Sequence, residues 1–197
     1  MKAIRMAEPS DARAVLEIYG PVVATTAISF EAEVPAQREM EERIAGTLGF
    51  APWLVCDDGG RVAGYAYASR HRERAAYRWC VDVSVYVRDD RRRAGVGRAL
   101  YTSLFSLLRL QGFRAAHAGI TLPNEASVRL HQSLGFEAVG VYPRVGFKLG
   151  RWHDVGWWQL PLLERSGEPG PTVPPEALRR SGAWAEALDA GLPLLSR

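Results

Sequence analysis

The sequence predicts an α/β fold, with strands and helices intermixed and a sheet of mixed strand direction. Three observations predict it. Apolar runs with a two-residue period alternate with helical stretches from about residue 4 to 162. Two pairs of these runs are joined by short turns of the hairpin kind, which demand antiparallel neighbours. One run passes through a glycine turn directly into a helix, the start of a crossover.

Ile4 to Ala7 reads as the first strand, and Pro9-Ser10-Asp11 as a helix start followed by Ala14, Val15, Ile18 and Tyr19 at helical spacing. Pro35 to about Gly46 is a second, acidic helical stretch. Trp53–Cys56 and Arg61–Ala68 flank Asp57-Asp58-Gly59-Gly60, a hairpin signal. In Trp79–Val87, Val81, Val83, Val85 and Val87 face one way and Asp82, Ser84 and Tyr86 the other. A helix from Val96 to about Gln111 ends at Gly112, where glycine suits the left-handed stop. Ala115–Thr121 is a further strand, and Asn124-Glu125-Ala126-Ser127 opens a helix that ends at Gly135. Val139–Leu149 and Trp152–Leu162 form a last hairpin turning at Gly150-Arg151, with His153-Asp154 as an expected structural pair. Residues 1–163 are therefore expected to form one domain. Residues 164–197 are expected to form a Pro/Gly-rich linker and a short tail, in which Trp184, Leu188 and Leu192 recur at helical spacing.

With 197 residues, 47% of them hydrophobic, such a domain buries about two-thirds of its unfolded surface and needs neither disulfide nor metal. Cys56 and Cys80 lie in apolar stretches and are expected as buried free thiols, a bridge being the alternative. No Cys/His cluster suggests zinc, so no metal is expected. The first residues lack an apolar leader core, and no run approaches ~18 apolar residues, so a cytoplasmic protein without a membrane partner is expected. The net charge of +3 is carried by arginine, Lys2 and Lys148 excepted, and is nearly balanced by acids, which argues against nucleic acid.

The sharpest chemical feature is the turn Arg92-Arg93-Ala94-Gly95-Val96-Gly97 between a strand and a helix. Its glycines admit positive φ and close approach, and a helix start presents free N–H groups and a positive dipole end. That suits a pyrophosphate, with arginines adding charge. The dinucleotide fingerprint fails because Leu100 stands where a third glycine is needed, and no Gly-Lys-Ser/Thr P-loop is present. A simple connecting turn is the alternative reading.

Trp79–Val87 with this turn resembles the core motif of the GNAT N-acetyltransferase superfamily. Asn124-x-x-Ser127-x-x-Leu130-His131-x-x-x-Gly135-Phe136 resembles that superfamily's later helix. Thr26–Phe30, Pro52–Val55, Ala75–Trp79, Leu100-Tyr101-Thr102, Leu122-Pro123-Asn124 and Trp152–Gln159 are similar to stretches of its phosphinothricin acetyltransferase subgroup. The resemblance covers about residues 4 to 162 and not the tail.

The resemblance implies a mostly antiparallel twisted sheet with a V-shaped opening between two parallel strands, Trp79–Val87 and Ala115–Thr121. It implies acetyl-CoA as co-substrate, held by the backbone of Val85, Tyr86 and Val87, by Arg92, Arg93, Ala94, Gly95, Val96, Gly97 and Arg98, and by Asn124. It implies a small amino-acid-like amine as acceptor, with Phe30 as an apolar wall, Arg72 and Arg74 as anion partners, and Tyr86 and Tyr101 lining the pocket. It also implies a homodimer.

Aminolysis of a thioester needs a base for the ammonium and a proton for the leaving thiolate. Asp82, on the polar face of a valine-rich strand, is the candidate base; the subgroup usually carries the longer Glu there. A structural carboxylate paired with an arginine is its rival reading. His131 stands where many members carry tyrosine, and its ordinary pKa suits transfer at the amine or the sulfur; a helix histidine satisfied by a neighbour is its alternative. His71 and His117 are weaker candidates, and Trp152, Trp157 and Trp158 are expected as core or dimer contacts. The leading expectation is acetylation of phosphinothricin, methionine sulfoximine or methionine sulfone. Acetylation of a protein N-terminus or polyamine, and a non-catalytic acyl-CoA-binding module, are the alternatives.

Overall fold

The computed structural model describes residues 2–195. Its sheet has seven strands in the order β1-β2-β3-β4-β5-β7-β6. These are β1 (Lys2–Met6), β2 (Trp53–Asp58), β3 (Val62–Arg70), β4 (Cys80–Val87), β5 (Ala115–Leu122), β6 (Glu137–Lys148) and β7 (Arg151–Pro161). Every neighbouring pair is antiparallel except β4 and β5. The mixed α/β architecture expected from sequence is the one observed. The last hairpin turns one residue earlier than expected, at Leu149 and Gly150, both with positive φ.

Alternation along β4 sorts the chain into two layers. Val81 and Val83 join the core built on α3 (Val96–Leu110). Tyr86 packs against the opposite core, built on α1 (Ala12–Thr25) and α2 (Gln37–Leu48). The α3 helix forms because Val96, Ala99, Leu100, Ser103, Leu104, Leu107 and Leu108 recur every three to four residues and are all buried. Gly112 stops it at φ +86°. The next helix, α4 (Glu125–Ser133), is capped by Asn124, whose side chain accepts from the Ser127 N–H at 3.2 Å.

Both cysteines are free, Cys56 buried and Cys80 half-buried. His153 and Asp154 do not pair with each other. His153 Nε2 meets the Lys148 carbonyl at 3.0 Å, and Asp154 accepts from the Arg144 N–H at 2.7 Å. Neighbouring side chains in a strand point to opposite faces, so adjacent residues cannot readily bond one another.

The tail lies along α3. Trp79 Nε1 donates to the Gly170 carbonyl at 2.7 Å, and Gln111 exchanges bonds with Val173. A single turn, α5 (Pro175–Leu178), leads to α6 (Gly182–Asp189), which buries Trp184 to 3% exposure in the α3 core. Ser103 Oγ then donates to the Leu188 carbonyl at 2.6 Å and accepts from the Gly191 N–H at 3.1 Å.

This makes the tail a load-sharing layer and not a loose end. Trp184→Ala should lower the unfolding free energy by about 3–5 kcal/mol, the usual cost of deleting a buried tryptophan. Urea denaturation of the full chain measures it; a change within ~0.5 kcal/mol would mean a surface-like tail.

Candidate active site

β4 and β5 pair over only three positions, Cys80 with Ala115, Val81 with Ala116 and Asp82 with His117. Beyond Asp82 and His117 they part. Neither strand stops there: β4 runs on to Val87, paired with β3, and β5 to Leu122, paired with β7. The inner edges of both strands therefore carry main-chain donors and acceptors that no strand satisfies. Val83 to Tyr86 and Ala118 to Thr121 line the resulting slot, closed by Tyr101, Asn124, Ser127 and His131. Val85 and Tyr86, expected as backbone ligands, line it directly; Val87 follows at the end of β4.

The slot opens toward the start of α3. Arg93 and Gly95 have φ of +63° and +80°, so the chain reverses twice within three residues. Such alternation turns successive N–H groups toward one point, an anion nest. The N–H groups of Val96, Gly97 and Arg98 lie in the first helical turn, before the first intrahelical bond, from Ala99 N to Gly95 O. Arg92 pairs with Asp89 at 2.6 Å, and Arg98 is drawn to Ser133 Oγ at 2.7 Å on α4. The main chain of 92–98 thus makes the cradle, while these two side chains brace its rim. The tail also reaches this turn, because a methyl on Gly95 would collide with the Leu194 carbonyl. Free N–H groups, unsatisfied strand edges and close-approach glycines fit the diphosphate and pantetheine arm of a coenzyme A.

At the apex a polar row crosses the sheet on the α1/α2 face. Ser69, Asp82, His117 and Gln159 stand side by side through the strand registers. His71 lies over the row. Its Nδ1 donates to Asp82 Oδ1 at 2.6 Å, and its ring stacks on His117 with centroids 4.2 Å apart. The partner of Asp82 is thus a histidine and not the arginine considered from sequence. Burial raises the Asp82 carboxyl above its usual range, against the pull of the His71 bond. Burial, and then the proximity of His71, push the His117 imidazole down to about 4. The His71, Asp82 and His117 ligand atoms lie within 4.8 Å of one another. The two rings are only 16° from parallel, however, so their in-plane lone pairs do not converge ~2 Å from both, as a metal requires.

His131 faces the slot from the α3 side. Its Nδ1 donates to the Ser127 carbonyl at 2.8 Å, which leaves Nε2 to accept from the Tyr101 hydroxyl at 3.1 Å. Burial lowers the His131 pKa and raises that of Tyr101, so both are held neutral. A carboxylate–histidine pair on one face and a tyrosine–histidine pair on the other bracket one slot. That arrangement can accept a proton on one side and supply one on the other.

The expected acceptor residues are only partly brought together. Arg72 bonds the His71 carbonyl at 2.7 Å and lies 5.7 Å from the Trp157 ring, close to Asp82. Arg74 is exposed just before a short 3₁₀ turn at Ala75–Tyr77. Phe30 packs on Gly146 and beside the ring of His153, on the β6–β7 hairpin. Tyr101 belongs to the α3 face with His131, whereas Tyr86 sits between Tyr19 and Tyr65.

Two residues of this site carried little weight in the sequence. Trp157 lies flat over Gly119, whose missing side chain makes room for it, and stands next to Arg72. His71 is eleven positions from Asp82. The signal for it is the β3–β4 register: Ser69 faces Asp82, so residue 71 falls diagonally beside it.

A parallel strand pair that parts at a charged apex and runs into an anion-binding helix start defines an acyl-transferring enzyme whose donor threads the sheet. A family model for the acetyltransferase (GNAT) domain matches residues 4–157. A phosphinothricin N-acetyltransferase of Streptomyces viridochromogenes is 40% identical over 171 residues, 87% of this chain and 93% of that protein. A methionine sulfoximine/methionine sulfone acetyltransferase of Salmonella typhimurium is 38% identical over 83% of this chain and 96% of its own length. The crystal structure of a Sinorhizobium meliloti phosphinothricin acetyltransferase in complex with acetyl-CoA superposes with a TM-score of 0.83. It is 38% identical, over 91% of this chain and 99% of that one. The chain belongs to the GNAT acetyltransferase family and is an N-acetyltransferase.

The neutral histidines of the site, His131 buried and His117 half-buried, set a pH dependence. His117 and His131 have lowered pKa in the fold, whereas the unfolded chain takes up their protons near pH ~6.5. Below that value the unfolded state binds more protons, so stability must fall as pH drops from about 6.5 toward 4. Urea midpoints across that range should fall more steeply for the native chain than for His117→Asn. Equal slopes would contradict the assignment.

Proposed function

We propose that this enzyme transfers the acetyl group of acetyl-CoA to the amino group of a small amino-acid analogue: phosphinothricin, methionine sulfoximine or methionine sulfone. The observation that carries the reading is the apex at Asp82, where the only carboxylate of β4 stands beside an arginine, Arg72, that suits the acceptor's own acid group. The names of the similar proteins point to the same acceptors.

In this reading the main chain of Val85, Tyr86 and Val87 holds the pantetheine arm, the turn from Arg92 to Arg98 holds the diphosphate, and Asn124 contacts the coenzyme. Asp82 carries the basic side of the chemistry, so that the ammonium gives up a proton and a lone pair is free to attack. His131, through its bond to Tyr101, carries the acidic side and serves the departing sulfur. Phe30, Arg72, Arg74, Tyr86 and Trp157 shape the acceptor side. No metal takes part.

Residues 1–163 form the transferase and 164–197 its appended tail, in a cytoplasmic protein; among the described residues no helix is long and apolar enough to cross a membrane. The enzyme acts as a homodimer through the β6–β7 hairpin. Val139, Val141, Val145 and Phe147 of β6 are each at least half exposed on an edge strand, a row of apolar side chains that water disfavours.

A thiol-release assay with acetyl-CoA and these three acceptors should show turnover of at least one. Asp82→Asn should then lose about 10²–10⁴-fold in kcat/KM, the usual worth of a general base, with acetyl-CoA binding retained. Turnover of none of the three, or an Asp82→Asn enzyme as fast as wild type, would overturn the reading.

A further inference from the structure

We propose that the proton of the acceptor ammonium is received by His71 Nε2, and that Asp82 acts behind it by orienting the ring and balancing its charge. The proposal rests on the acetyl-transfer reading above and names the base of that same site.

The first support is reach. Asp82 is the shorter of the two acidic residues, and its Oδ1 is already engaged by His71 Nδ1 at 2.6 Å. An ionised carboxylate only accepts, so Nδ1 carries the ring proton and the lone pair lies on Nε2. That nitrogen makes no hydrogen bond among the described residues and is not one of the buried atoms left without a partner, so it keeps contact with solvent.

The second support is fixation. The ring is clamped by the His117 face at 4.2 Å and by the edges of Tyr77 and Trp157 at 5.8 and 6.1 Å. Trp157 in turn covers Gly119, a residue of the slot lining, so His71 is braced between the Asp82 apex and a ring at the slot's edge. A base held on three sides pays little entropy on reaching its working geometry.

The third support is charge. An imidazolium on His71 gains the Asp82 carboxylate as its partner. The stacked ring of His117, with its pKa pushed down to about 4, stays neutral and adds no like charge. The other charged or titratable groups around His71 are Arg72 on its own loop and Tyr77.

The N–H bond of the acceptor ammonium breaks, its proton passes to His71 Nε2, and the electron pair stays on nitrogen. That pair forms the C–N bond to the thioester carbon. Collapse of the adduct breaks the C–S bond, with the electron pair leaving on sulfur. The thiolate takes a proton from the Tyr101–His131 side, the second proton that the acetylated nitrogen sheds on becoming an amide replaces it, and His71 returns the first to water.

The test compares His71→Phe, which keeps a flat ring on His117, and His71→Ala, both in the full-length protein. kcat/KM for the best acceptor should fall at least 100-fold in each, while the thermal shift produced by CoA is unchanged. Free imidazole should restore activity to His71→Ala in a saturable manner and should not accelerate His71→Phe, whose ring fills the site. Wild-type kcat/KM in His71→Phe, with Asp82→Asn inactive, would make Asp82 the direct base and overturn the proposal. Lost activity in His71→Ala without imidazole rescue, in a protein that still binds CoA, would reduce His71 to a structural support and overturn it too. A wild-type enzyme that acetylates none of the acceptors fails the underlying reading instead.

Discussion

The parting of β4 from β5 after Asp82 and His117 is the constraint on which the rest of the molecule depends. Two parallel strands normally pair along their length, because an unpaired strand edge inside a sheet leaves donors and acceptors unmet. Here each strand is held on its outer side, β4 by β3 and β5 by β7, so the gap is propped open from both flanks. The cost of those unmet edges is offset only when something with matching amide groups occupies them. The arm of coenzyme A has such groups, and the glycine turn at the open end is where we propose its diphosphate sits.

The same constraint distributes the chemistry. Because side chains alternate along β4, the valines seal the α3 core while Asp82, Ser84 and Tyr86 face α1 and α2. The carboxylate–histidine pair on one face and the buried tyrosine–histidine pair on the other are therefore separated by the sheet itself and meet only through the slot. The tail adds a further layer. It follows α3 from Gln111 to Gly95, so the helix that presents the anion-binding N–H groups is braced along its outer side by residues beyond the family's matched span.

Local patterns made much of this legible in the sequence. The alternation of β4, the turn from Arg92 to Gly97 and the Asn124 cap are each written in a few consecutive residues, and their boundaries moved by only one or two positions. Pairings across distance were not legible. Asp82 meets His71 only because the β3–β4 register folds a nine-residue connection back on itself, and Tyr101 meets His131 only because α3 and α4 share a face. Phe30 went to the hairpin because Gly146 leaves a space that its ring fills. The tail showed helical spacing without showing its partner, since an apolar stripe states that it will be buried and not against what.

The most direct test of the open slot is amide hydrogen exchange with and without CoA. A donor threaded between β4 and β5 should add protection at two separate stretches, the β4 amides from Val83 to Val87 and the helix-start amides from Val96 to Arg98, with little change in β1 or β2. Protection confined to the turn, or spread evenly over the sheet, would contradict a donor threaded between β4 and β5.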